Sequence, residues 1–218
     1  MTSTSDLIDS LVADAMPVRR LRPPVTRALC WLSFAALVLT LVALVHGVRP
    51  DLMLKLRQPT FVVGVAAALI TGVLASIASF IASVPGRSRR WLWLPAPAVA
   101  VWMSTIGYGC LTNWVSIGPD GMSLGETARC FATLAITGIP LSLVMLIMLR
   151  YVARLAPTPV VMTGSLAVAA MTSVALLLFH PLDATAMIVM WNIGVAGLLV
   201  ALSGLYGRRL FGWIAPQA

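Results

Sequence analysis

Five side chains with ligand, thiol or acid–base chemistry stand where apolar runs end: His46, Cys110, Cys130, His180 and Asp183. Cys110 closes one hydrophobic run and Cys130 opens the next. The polar stretch between them begins Gly107-Tyr108-Gly109-Cys110 and ends Arg129-Cys130. Two thiols at one place support a redox-responsive disulfide, or thiolate ligation of a soft metal with His180 helping. A third reading is packing, because free cysteine behaves as a small buried apolar residue. A disulfide needs Cα atoms within about 7 Å, and spacing alone does not supply that. Cys30 stands apart, near the start of the first apolar run, and the chain has no CxxC. Any redox role therefore rests on a single pair.

Whether these groups meet depends on the elements that carry them. The 218 residues are 60% hydrophobic and 10% charged, far from the roughly 25% charge of a globular domain. Apolar runs of about 20 residues recur, each long enough at ~1.5 Å per residue to cover ~30 Å of hydrocarbon. The expected fold is all-α: a polytopic membrane helix bundle with six transmembrane helices and a short N-terminal cytoplasmic amphipathic helix. The spans are expected at 28–46, 60–83, 91–111, 130–149, 160–179 and 185–206, between an arm (1–27) and a tail (207–218). No small-residue cleavage pattern follows the first run, so a cleaved signal peptide is not expected.

Arginine placement orients the bundle. Four arginines in the arm, Arg87, Arg89, Arg90, Arg150, Arg154, Arg208 and Arg209 put eleven basic residues on one side. Arg49, Lys55, Arg57 and Arg129 put four on the other. Both termini are then cytoplasmic in an inner membrane, with Cys110, Cys130 and His180 on the outer side, where disulfides persist. The loop at 47–59 votes the other way, carrying three of those four. The net charge of +8 is spread in short clusters between apolar runs, which is a membrane pattern and not a nucleic-acid surface.

The expected spans contain no Lys, Arg, Asp or Glu, which argues against an ion-coupled transporter. Asn192 is the main polar side chain at depth and suits an interhelical hydrogen bond. Gly64, Ala68, Gly72 and Ser76 mark a close-approach face on the second span, and Ser165, Ala169 and Ser173 another on the fifth. Pro140 is expected to kink the fourth. Trp91, Trp93, Trp114 and Trp213 suit interfacial belts.

The arm has its own pattern. Leu7, Ile8, Leu11, Val12 and Ala15 share one side of a helical wheel; Asp6, Asp9, Ser10, Ala13 and Asp14 take the other. Thr4 or Ser5 would cap this helix, Asp6 would sit in its dipole-favoured first turn, and Pro17 would stop it. Three turns are marginal in water, so the helix needs a surface to lie on. Membrane-surface helices carry Lys and Arg on the polar face, whereas this one carries three aspartates. A protein partner fits better. The arginines that follow, Arg19, Arg20, Arg22 and Arg27, read as a topology anchor.

From Asp6 to Trp213 the chain resembles the NrsF-like membrane anti-sigma factors. The shared pieces are Asp6-Leu7-Ile8-Asp9, Pro17-Val18-Arg19-Arg20-Leu21-Arg22-Pro23-Pro24, Arg49-Pro50-Asp51-Leu52, Val84-Pro85-Gly86-Arg87-Ser88-Arg89-Arg90-Trp91, Gly107-Tyr108-Gly109-Cys110 and Cys130. Each is short, and their order and spacing together carry the match. The resemblance implies a protein that holds an extracytoplasmic-function (ECF) sigma factor inactive at the cytoplasmic face and releases it on envelope stress. Asp6, Leu7, Ile8, Asp9, Leu11 and Val12 would then bind the sigma factor, and Cys110, Cys130 and His180 would sense. A further cysteine that the resemblance implies beside the His-Pro is missing, since that place reads Phe179-His180-Pro181-Leu182.

The partners expected are thus an ECF sigma factor and the lipid bilayer, with no direct nucleic acid, no cofactor, no resident metal and no enzymatic activity. A membrane thiol oxidoreductase would need a second cysteine pair or a quinone to take its electrons, and a small transporter would need polar spans.

Overall fold

The computed structural model describes residues 4–13, 22–84, 86–113, 124–149 and 157–179. Every regular element among these is helical. The amphipathic arm is helix α1, Thr4–Ala13. Thr4 and Ser5 belong to this helix, and Pro17 lies outside the described residues.

Proline and glycine set the bounds of the long helices. Helix α2, Pro24–His46, starts on Pro24, whose missing N–H costs nothing in a first turn. It stops at Gly47, which takes a φ of +74° and returns its N–H to the Ala43 carbonyl at 3.0 Å. A one-turn helix α3, Leu52–Lys55, leads to α4, Pro59–Ala82, again opened by a proline. Helix α5 is Ala96–Asn113, α6 is Leu124–Leu149 and α7 is Pro157–Phe179.

Three of these bounds depart from expectation. The third span was expected from 91, yet Arg89–Trp93 form a 3-10 turn and α5 begins at Ala96. Pro95 and Pro97 suit this start, because neither has an N–H to donate and they fall just before and within the first turn of α5, where N–H groups lack intrahelical partners. Helix α6 begins six residues ahead of the expected 130, taking in Glu126 and Arg129. Helix α2 begins four residues ahead of 28 and so encloses Arg27, where a charge-free span was expected. The sixth expected span, Asn192 within it, the C-terminal tail, Trp114 and Trp213 lie outside the described residues.

Helices α2, α4, α7 and α6 form a ring: α2 packs on α4, α4 on α7, α7 on α6 and α6 back on α2. Their shared core holds Trp31, Ala35, Phe80, Leu141, Met145 and Val168, among others. Helix α5 lies outside this ring against α4, where Trp102 packs with Ala67, Ala68, Ala170 and Val174. Among the described residues, the four ring helices are the ones long and apolar enough to cross a membrane. Their outward residues are large and apolar: Leu37, Leu44, Leu69, Ile139 and Leu143 are 44–77% exposed. So much exposed apolar surface on several helices suits a hydrocarbon surrounding rather than water.

The small-residue face on α4 is as expected. Gly64, Ala68, Gly72 and Ser76 are all buried. A methyl group on Gly64 would stand 3.3 Å from Thr105 Oγ1 of α5, and one on Gly72 would stand 2.9 Å from Met171 Cε of α7. On α7 the close-approach row holds at Ser173, which is buried, and differs at its other two positions. Ser165 and Ala169 are half-buried, and Gly164, Ala167, Val168 and Met171 make the buried side instead. Helix α6 passes through Pro140 as one helix. One residue further on, the Leu141 carbonyl accepts a hydrogen bond from Trp31 Nε1 at 3.2 Å, tying α6 to α2.

Candidate functional site

Two polar clusters fix the two ends of the ring. At one end, Arg27 in the first turn of α2 is buried, 8% exposed. Its Nη2 donates to the Met148 carbonyl near the end of α6, and its guanidinium lies 5.0 Å from the Phe80 ring centre near the end of α4. Close by, Ser79 Oγ donates to the Val160 carbonyl at 3.0 Å, adding the start of α7. The starts of α2 and α7 and the ends of α4 and α6 therefore share this end. So do exposed Arg22 and the exposed arginines after α4: Arg87, Arg89 and Arg90.

Arg49 builds the opposite end. It is 4% exposed in the loop between α2 and α4, with Nε and Nη2 each donating to one carboxylate oxygen of Asp51 at 2.7 Å. Such a two-pronged pair fixes both partners in one geometry. Nη1 reaches the Leu177 carbonyl at 3.4 Å, and the backbone N–H of Arg49 donates to the Leu178 carbonyl at 3.2 Å. The guanidinium also lies 5.8 Å from the Phe61 ring centre. One side chain thus joins the loop to the start of α4 and the end of α7. The hydrogen bonds and charge of Arg49 hold the Asp51 carboxyl below the usual carboxylate range.

Arg49 and Asp51 were legible only as a short shared piece of sequence, and Arg27 only as a topology anchor. The signal for the first pair was opposite charges two residues apart around Pro50. Its carbonyl partners, 128 residues away, left no trace in the local pattern.

The predicted arm residues Asp6, Leu7, Ile8, Asp9, Leu11 and Val12 all fall within α1. Asp9 and Val12 are exposed, Val12 at 68%. Cys110 lies one turn before the end of α5, and Cys130 lies in the second turn of α6. Both are thus within helices flanking 114–123, not beyond their ends; their side chains, like His180 and Asp183, lie outside what is described. Cys30 is free and exposed on α2.

Residues 11–213 match the family described as negative regulator of sigma F, NrsF. The chain belongs to the NrsF family. No curated protein and no solved structure is detectably similar. The match covers nearly the whole bundle and begins inside α1, so Asp6, Leu7, Ile8 and Asp9 precede it. The family's name implies a regulatory role for this NrsF-family chain, that of a negative regulator of a sigma factor.

Proposed function

We propose that this chain is a multi-pass anti-sigma factor of the inner membrane, which holds an ECF sigma factor at its cytoplasmic face through α1 and releases it on an envelope-side signal. The observation that carries the proposal is the placement of α1. A helix with apolar and acidic sides, its Val12 open to solvent, precedes the arginine-rich end of an apolar-surfaced bundle. Sigma factors present basic, DNA-facing surfaces, which Asp6, Asp9 and Asp14 complement, while Leu7, Ile8, Leu11 and Val12 supply the apolar anchor. The basic end is the cytoplasmic one by arginine distribution. Cys110 and Cys130 then belong to the outer side, where a disulfide or a soft-metal site senses the envelope.

The test is co-purification. The tagged full chain, extracted in mild detergent, should bring down an ECF sigma factor, and the same chain lacking residues 1–22 should not. Equal recovery of the sigma factor from both proteins would take the binding role away from the arm.

A further inference from the structure

The turn between α4 and α5 is exposed from Gly86 to Trp91 and is partly buried from Leu92 onward, except at Trp93. Gly86, with a φ of +81°, redirects the chain after α4, and Ser88 Oγ accepts the N–H of Arg90 at 3.3 Å. Through the 3-10 turn Arg89–Trp93 and on to Pro95, Leu92 and Leu94 are half-buried and Pro95 is buried, and the turn packs on α4 and α7. The arginines and tryptophans of the turn point away. Arg87, Arg89 and Arg90 are exposed, Trp91 is 40% exposed and Trp93 76% exposed.

Both features ask for a partner. Three cationic groups fall within four residues, and the sequence has no carboxylate between Asp51 and Asp120 to neutralise them. Among the described residues the side-chain ion pair, Arg49 with Asp51, is at the other end of the ring. Two tryptophans left in water forgo a large burial free energy, whereas an indole at a bilayer interface keeps its ring in apolar surroundings and its N–H wet.

We propose that this turn is a binding surface for anionic phospholipid headgroups. The guanidinium groups of Arg87, Arg89 and Arg90 grip headgroup phosphate with paired N–H donors, and Trp91 and Trp93 lie beside them at the depth of the glycerol backbone. Charge complementarity selects an anionic ligand. The exposed indoles select a lipid over a soluble acidic protein. Because the turn packs on the central pair α4 and α7, a lipid held here braces the bundle where α4 hands over to α5.

Native mass spectrometry of the full chain in detergent tests this, with phosphatidylglycerol or phosphatidylcholine of matched acyl chains added. Phosphatidylglycerol should be retained in preference to phosphatidylcholine. About 1 kcal/mol per arginine near an anionic surface corresponds to about fivefold in affinity. The double variant Arg89→Gln/Arg90→Gln should therefore lose phosphatidylglycerol affinity by about 25-fold, while Arg89→Lys/Arg90→Lys keeps most of it. Trp93→Ser, with every charge intact, should also weaken retention. Arg57→Gln, which removes one charge from an exposed residue at the other end, should leave it unchanged. Equal retention of the two lipids would overturn the proposal, as would an Arg57→Gln effect matching that of the double variant. So would full phosphatidylglycerol retention by a double variant with wild-type helical circular dichroism. A double variant that keeps its lipid but no longer co-purifies with a sigma factor would assign the turn to a protein partner instead.

Discussion

Arg49 joins its loop to α4 and α7 through one side chain, and on the proposed binding mode Leu11 is the anchor of the arm. Fully burying an aliphatic side chain of Leu11's size is worth about 1.5–3 kcal/mol, and truncating a central anchor costs about 2 kcal/mol or more. Leu11→Asp should therefore free the sigma factor and switch on its regulon without stress. Asp14→Asn, a rim charge affecting mainly the association rate, should do so weakly at most. Reporter transcription at equal membrane levels of both variants checks this, and unchanged repression by Leu11→Asp would move attention to the arginines at 87–90. Asp51 makes a pH prediction. Its folded pKa is lowered, so the Arg49–Asp51 clamp is intact at pH values above the ordinary carboxylate value of about 3.9. Its contribution is lost as pH falls through the lower folded value. Thermal melting in detergent should thus be flat from neutral pH down to about 4 and fall below it, and Asp51→Asn should lower the melt at neutral pH while removing that acid dependence.

Among the elements, α6 and α7 carry the tightest tests. A methyl on Gly164 of α7 would stand 3.2 Å from Leu149 Cδ1, 3.3 Å from Met145 Cγ and 3.3 Å from Ser79 Oγ. These neighbours come from two helices, so no single flexible side chain can give way. Gly164→Leu should destabilise the bundle by about 1–3 kcal/mol. Gly72→Ala should cost less, since its contacts are all to the methionine side chain of Met171. Thermal melting of the two variants compares them directly. The flanking helices α5 and α6 also carry the sensing prediction. If Cys110 and Cys130 act together, serine at either position should alter sigma-dependent transcription under thiol-oxidant or soft-metal stress at normal membrane levels. An unchanged response in the double variant would leave both as packing residues. His180→Ala separates the two sensing chemistries, because only metal ligation needs the imidazole.

For the whole molecule, the ring of α2, α4, α6 and α7 sets which residues share an end, and the bilayer orientation sets which compartment they face. A reporter active only in the cytoplasm should work when fused after Ala218. One inserted at Asp120 should report the outer side, and a cytoplasmic report there would place both cysteines in a reducing compartment and remove the sensing role. The clamp also accounts for one of the three basic residues in the loop that voted against this orientation. Arg49 is buried and matched by Asp51, so it is a structural charge and does not weigh as a free cation at that face.

Sequence alone determined the class, the long helices of the described residues and the bias of charge, because each is written locally. About twenty apolar residues span a bilayer whatever their neighbours, Pro24, Pro59 and Gly47 punctuate helices through their own backbones, and arginine clusters orient a chain through local charge. The acidic amphipathic arm was legible for the same reason, since a helical face is a matter of spacing. Tertiary structure decided which faces meet. Ser165 and Ala169 have the spacing of a close-approach face, yet Gly164, Val168 and Met171 make the buried side of α7. It also decided what the buried arginines do. Arg27 and Arg49 look like ordinary flanking charges in sequence, and become structural only because backbone carbonyls from α6 and α7 arrive beside them. A donor and an acceptor more than a hundred residues apart find each other through packing, which no local pattern encodes.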